Sequence, residues 1–123
     1  MFSFRVDSTA STAPSEQLRA QVVQAVRSGE LVAGTRLPTV RGLAQELGLA
    51  ANTVAKAYRA LERDEVIQTH GRSGSFVAAS GDGAHRHAQQ AAIAYADRVR
   101  SLGLNPTEAL AIVTDALRAE NAR

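Results

Sequence analysis

Four polar side chains, Asn52, Lys56, Arg59 and Arg63, follow one another at spacings of 4, 3 and 4 residues, and Thr53 stands beside the first. On a helix of 3.6 residues per turn that spacing gathers them on one face. Their chemistry is hydrogen bonding and positive charge, not nucleophilic or acid–base work. An amide such as Asn52 can make a paired contact to an adenine edge. A lysine such as Lys56 can reach a guanine edge or a phosphate, and a hydroxyl such as Thr53 can donate to a phosphate. Ala50 and Ala51, just ahead, are small enough to let a helix end approach a groove closely. The plainer alternative is a solvated face on which Asn52 only caps the helix and Lys56 is a surface charge. Helix pattern alone favours the plainer reading; the elements flanking this helix reverse the preference.

Other chemistry-bearing residues do not assemble into a site. The 123 residues include no cysteine, which rules out disulfides, thiolate metal sites and a cysteine nucleophile. His85 and His87, two of the three histidines, stand at i and i+2, on opposite sides of a helix, with no Cys or nearby Glu to complete a metal set. No serine lies in a G-x-S-x-G setting, and the five Asp and seven Glu are scattered. Neither an enzyme, a metal nor a cofactor is expected. Formal net charge is only +2, which argues against a polybasic, non-specific nucleic-acid coat. With no apolar run of membrane-spanning length and no signal-like hydrophobic start, the expectation is a cytoplasmic chain without membrane contact.

The elements that must position the polar face can be read in order. Phe2, Phe4 and Val6 alternate with Ser3 and Arg5, the pattern of a short half-buried strand. A first helix begins near Pro14 or Ser15, with Ser15 as its expected cap; Leu18, Val22, Ala25 and Val26 form its apolar face, and Gly29 ends it. Leu31 and Leu37 flank a turn at 33–36. Thr39 is placed to cap a second helix carrying Val40, Leu43, Ala44 and Leu47; Gly48 supplies a sharp turn, and Leu49 plugs the angle between helices. The third helix runs from about 51 to 63, with Val54, Ala57, Tyr58 and Leu61 inward. Val66-Ile67 and Phe76-Val77 then bracket the Gly-containing tip His70-Gly71-Arg72-Ser73-Gly74, a hairpin pattern. Helix, tight turn, helix and wing form an order that sets one helix into a DNA groove.

In that geometry Arg41, at the start of the second helix, is a phosphate-contact candidate, unless it pairs with Glu46 or a neighbour. The tip with Arg72 beside glycines can lie along a backbone or enter a minor groove, or be an ordinary hairpin loop.

The segments Gly29 to Ala44, Leu47-Gly48-Leu49, Asn52 to Glu62 and Gly71 to Val77 together resemble the DNA-binding domain of the GntR superfamily of bacterial transcription regulators, and the wording Asn-Thr-Val-Ala-Lys-Ala-Tyr is most similar to the YtrA branch. The resemblance covers about residues 2–79. It implies a winged helix-turn-helix that binds palindromic operator DNA as a dimer. It places DNA contacts on Arg41, on 50–53 including Ala51, on Ala55 or Lys56, and on His70 and Gly71. The arginines frequent in the family at the places of Ala51 and Ala55 are missing here, which shifts the expected reading onto Asn52, Thr53 and Lys56, with Arg59 on the backbone. With Thr39, Arg41 and Arg72 these complete the expected DNA-binding set.

After a break at Ser80-Gly81-Asp82-Gly83, two more helices are expected. One runs over about 84–102 with a heptad-like seam of Ala88, Ala92, Tyr95, Val99 and Leu102. The other starts at Asn105-Pro106 and carries Leu110, Val113 and Leu117, joined by Ile112 and Ala116. Two short Ala-rich helices bury little surface alone, so this seam is expected to pair with a second copy. The expected architecture is mainly α with a small β-wing (α+β): a winged helix-turn-helix at 1–79, a linker at 80–83 and a two-helix dimerisation region at 84–123. The function expected is a homodimeric transcriptional regulator, a repressor. Two alternatives differ in kind. One is a winged-helix scaffold for protein interaction. The other is a sensor with an unidentified small-molecule effector held between tail and winged domain by Tyr95, Val99, Leu102 and Ile112.

Overall fold

The computed structural model describes residues 2–80 and 83–119. Gly81 and Asp82 of the expected linker lie outside the described residues, as do Met1 and residues 120–123 at the ends of the two expected regions. Contacts group the chain into two compact units, Met1–Gly81 and Asp82–Arg123.

The first unit contains α1 (Pro14–Ser28), α2 (Val40–Leu47), α3 (Ala51–Arg63), and the strands β1 (Ile67–Thr69) and β2 (Ser75–Val77). Its core forms where the apolar stripes of the three helices converge. Leu18 and Val22 come from α1, Leu43 from α2, Val54, Tyr58 and Leu61 from α3, and Ile67 and Val77 close it from the strands. Two expectations about its beginning are corrected. Ser15 does not cap α1. Ala13 holds the cap position without a side-chain bond, and Pro14 at the helix start has no N–H to satisfy, so the usual need for a cap is reduced. Residues 2–6 do not form a strand. Phe2, Phe4 and Val6 pack against the core and Ser3 and Arg5 are exposed, as alternation requires, but the backbone bonds go to α1 side chains. The Arg5 N–H donates to Gln21 Oε1 at 2.9 Å, and Gln21 Nε2 donates back to the Arg5 carbonyl. Gln17 treats Asp7 in the same way, accepting at 2.8 Å and donating at 3.0 Å. Two glutamines thus satisfy the groups a neighbouring strand would otherwise pair.

The wing is antiparallel, with Ile67 opposite Val77, Gln68 opposite Phe76 and Thr69 opposite Ser75, and a single 3₁₀ turn at Gly71–Ser73 closes its tip. The expected turn at 33–36 is only partly a turn. Thr35 N–H closes onto the Val32 carbonyl at 3.1 Å, but Arg36 leaves the turn and pairs with Phe76, giving the wing a third extended edge.

The second unit consists of α4 (Gly83–Ser101) and α5 (Pro106–Arg118). Asn105 and Glu108 form a reciprocal capping box: the Glu108 N–H donates to Asn105 Oδ1 at 2.8 Å, and the Asn105 N–H to Glu108 Oε1 at 3.1 Å. The Tyr95 hydroxyl donates to the Ala109 carbonyl at 2.6 Å, tying α4 to α5, and Val99 and Ala109 are buried.

Candidate nucleic-acid interface

The turn between α2 and α3 sets the site. Thr39 caps α2, its Oγ1 accepting the Gly42 N–H at 3.0 Å. Since that oxygen only accepts, the hydroxyl proton stays available to another partner. α2 ends at Gly48, whose φ of +68° is inexpensive only for glycine, and the Leu49 N–H closes the turn onto the Ala44 carbonyl at 2.9 Å. Leu49 is half-buried against the core, as a plug between the helices should be. The Tyr58 hydroxyl then reaches from α3 to donate to the Pro38 carbonyl at 2.7 Å, joining α3 to the residue before the α2 cap. Burial pushes this phenol well above its ordinary pKa, so it remains a donor across the neutral range.

With Val54, Ala57, Tyr58 and Leu61 buried, α3 leaves Ala51, Asn52, Lys56, Arg59 and Arg63 exposed and Thr53 half-exposed. Ala50, not Asn52, holds the cap position, and no side chain caps the helix. The capping alternative for Asn52 is thereby removed; no side chain accepts from the first N–H groups of α3, and that of Thr53 closes onto the Ala50 carbonyl at 3.0 Å. Arg41 is exposed at the start of α2. Among the described residues the ion pairs are Glu16–Arg19 and Asp97–Arg100, so the alternative pairing of Arg41 with Glu46 is not made. His70, Gly71 and Arg72 are exposed at the wing tip, where the His70 ring lies 5.6 Å from that of Phe76. One nearby cation escaped the sequence reading: Arg36 is brought to the wing by its pairing with Phe76. Its only sequence signal is its place just ahead of the Leu37-Pro38-Thr39 turn.

In the second unit the expected interface residues divide. Val99 is buried, and Tyr95 and Val113 are half-buried. Ala88 and Ala92 are exposed, as are Leu102, Leu110 and Leu117; Leu117 is 82% exposed and Leu110 66%. Among the described residues no helix is long and apolar enough to cross a membrane, and no three His, Cys, Asp or Glu gather as metal ligands.

A helix-turn-helix whose second helix is exposed along one polar face, followed by a two-stranded wing, defines the winged helix-turn-helix class of DNA-binding modules. The family model for bacterial regulatory proteins, gntR family, matches residues 14–77, and the chain belongs to that family. It is 46% identical over 110 residues to the HTH-type transcriptional regulator Rv1152 of Mycobacterium tuberculosis (strain ATCC 25618 / H37Rv), an alignment spanning 89% of this chain and 90% of that one. A solved transcriptional antiterminator from Listeria monocytogenes EGD-e is similar with a TM-score of 0.63 at 26% identity, covering 96% of this chain and 91% of its own. YtrA from Sulfolobus acidocaldarius, a GntR-family transcription factor, is similar with a TM-score of 0.58 at 25% identity, covering 94% and 97%. The protein is a DNA-binding transcriptional regulator of the YtrA-like kind.

Proposed function

We propose that this regulator is a repressor that occupies a palindromic operator as a homodimer. The observation that carries the reading is the division of α3: one face is locked into the core and tied to Pro38 through Tyr58, while Asn52, Lys56 and Arg59 are exposed on the other. A reading helix needs both properties, because side chains must be held in register to distinguish base edges. In the proposed complex α3 (51–63) lies in the major groove. Asn52 and Lys56 face base edges, and Ala51 allows close approach. Thr39, Arg41, Thr53 and Arg59 face phosphates. The wing, at about 67–78, lies along the backbone through His70, Gly71 and Arg72.

The homodimer is supported by the second unit. Leu102, Leu110, Ile112 and Leu117 are each about half exposed or more, an apolar surface that a pair of short helices would hide by meeting another copy. Ala88, Ala92, Tyr95, Val99 and Val113 complete that proposed contact. A dimer supplies two reading helices for half-sites about 34 Å apart, one turn of DNA. The modest net charge of +2 also favours two linked heads over one. Occupancy of such a site blocks transcription directly.

The test is selection of bound sites from random duplex DNA with the full chain. The expected outcome is an inverted repeat with half-sites one helical turn apart. Enrichment of a single unsymmetrical site would overturn the dimeric reading, and no enrichment at low salt would overturn operator recognition itself.

A further inference from the structure

Arg36 lies outside both the helix-turn-helix and the wing hairpin, yet its side chain reaches the wing. Its backbone is held on both sides: the Val77 N–H donates to the Thr35 carbonyl at 2.8 Å, and the Leu37 N–H donates to the Ser75 carbonyl at 2.9 Å. Arg36 itself stands opposite Phe76 in antiparallel pairing, which puts the two side chains on one face of the wing. The guanidinium ends against Gly74. A Cβ built on that glycine would lie 3.1 Å from Arg36 Nε, 3.4 Å from Nη2 and 3.7 Å from Cζ. Gly74 has φ 105° and ψ −163°, a backbone region essentially reserved for glycine. The bare Cα leaves a slot, and the planar group fills it.

This guanidinium rests against the wing by packing and not through an ion pair. Arg36 is exposed, and among the described residues the ion pairs are Glu16–Arg19 and Asp97–Arg100. Arg72, two residues before Gly74 in the tip turn, is exposed as well. A planar cation held against a strand edge, with no carboxylate to satisfy it, suits a phosphate. Its N–H fork matches phosphate oxygens, and its prior ordering lowers the entropy lost on binding.

We propose that Arg36 is a phosphate-binding residue of the wing, its guanidinium seated over Gly74 so that the tip of the wing grips one backbone phosphate beside Arg72. The proposal rests on the DNA-binding reading and adds no base specificity to it, because a phosphate contact carries no sequence information.

The experiment is fluorescence anisotropy of the full chain on the duplex enriched by site selection and on a scrambled duplex, across about 50 to 200 mM KCl. Arg36→Met keeps an apolar stem against the wing and removes charge and donors. Expected is a salt dependence of log K shallower by about one unit, with about eightfold weaker binding at about 0.1 M salt, the contribution of a single phosphate contact. The loss should be the same for both duplexes. Arg36→Lys should restore the slope but only part of the affinity, since an ammonium cannot fill the planar slot. Arg36→Gln, uncharged but planar, serves as a second reading if Met disturbs the wing, with folding followed by thermal melting. A wild-type slope in either folded uncharged variant overturns the proposal, whatever happens to affinity, because Arg36 would then only brace the wing. Failure of the wild-type chain to bind either duplex would instead overturn the DNA-binding reading beneath it.

Discussion

The Tyr58 hydroxyl donates to the Pro38 carbonyl at 2.7 Å, across 20 residues of sequence, and so fastens the reading helix α3 to the turn that starts α2. Tyr58 is buried and its phenol holds its proton above the ordinary range because of that burial. In the unfolded chain the phenol ionises near its ordinary value of about 10. Stability tied to the neutral phenol is therefore complete below about pH 10 and is lost as pH rises from there through the folded value, because the unfolded state releases the proton first. Tyr58→Phe should cost about 1 kcal/mol at neutral pH, the net worth of one hydrogen bond, and should decline less steeply than wild type in alkali. Urea denaturation at a series of pH values measures both. A variant that loses stability in alkali as steeply as wild type would show that Tyr58 is not the titrating group.

α3 ends in a left-handed residue that is not glycine. Glu65 has φ 60°, its N–H donates to the Glu62 carbonyl at 3.0 Å, and the Val66 N–H donates to the Leu61 carbonyl at 2.9 Å. This is the paired-bond helix stop at which glycine is usual, and a side chain there is strained. Glu65 also adds negative charge beside the negative end of the helix dipole. Glu65→Gly should raise stability by roughly 0.5–1 kcal/mol, seen as a higher urea midpoint at unchanged slope. Glu65→Ala keeps the strain and should gain less. Equal gains in the two variants would assign the effect to charge alone.

These two local features also show where the sequence is legible. The stripes Leu18-Val22-Ala25 and Val54-Ala57-Tyr58-Leu61 mark buried helix faces because period 3.6 is a direct record of burial. Gly48 marks the turn because the cost of a positive φ depends on the residue type and is lowest for glycine. Phe2-Ser3-Phe4-Arg5-Val6 records burial equally well, but alternation does not say who supplies the hydrogen bonds, and here Gln17 and Gln21 supply them. Arg36 was hidden for the same kind of reason. Its pairing with Phe76 spans 40 residues, and no local pattern announces a partner so distant. Glu65 was hidden because it breaks the rule by which such stops are found.

Leu110 and Leu117 are so exposed that charging them should leave the fold of a single chain intact. If the tail pairs with a second copy, the double variant Leu110→Asp with Leu117→Asp places like charges in that contact. Light scattering at micromolar concentration should then change from the mass of two chains to that of one. Operator affinity should fall by about a hundredfold or more, because the second head is no longer linked to the first. A wild-type chain of monomer mass, or a double variant that stays dimeric, would remove the tail from this role.

Asn52 and Lys56 can be separated by what each loss changes. Asn52 is exposed, uncharged and does not cap α3, so it can act on DNA only through hydrogen bonds, and in the proposed complex it faces a base edge. Asn52→Ala should weaken binding to the selected operator by about 1–3 kcal/mol, relax selectivity at one position of each half-site, and leave the salt dependence unchanged. Lys56 lies one turn further along the same face and also carries charge. If it holds a phosphate, Lys56→Ala should weaken binding to operator and scrambled duplex alike and reduce the salt slope by about one. If it reads a guanine edge, selectivity should fall as well. Competition titrations against single-base operator variants, repeated at several salt concentrations, distinguish these cases. Unchanged affinity and selectivity in both variants would remove α3 from the major groove.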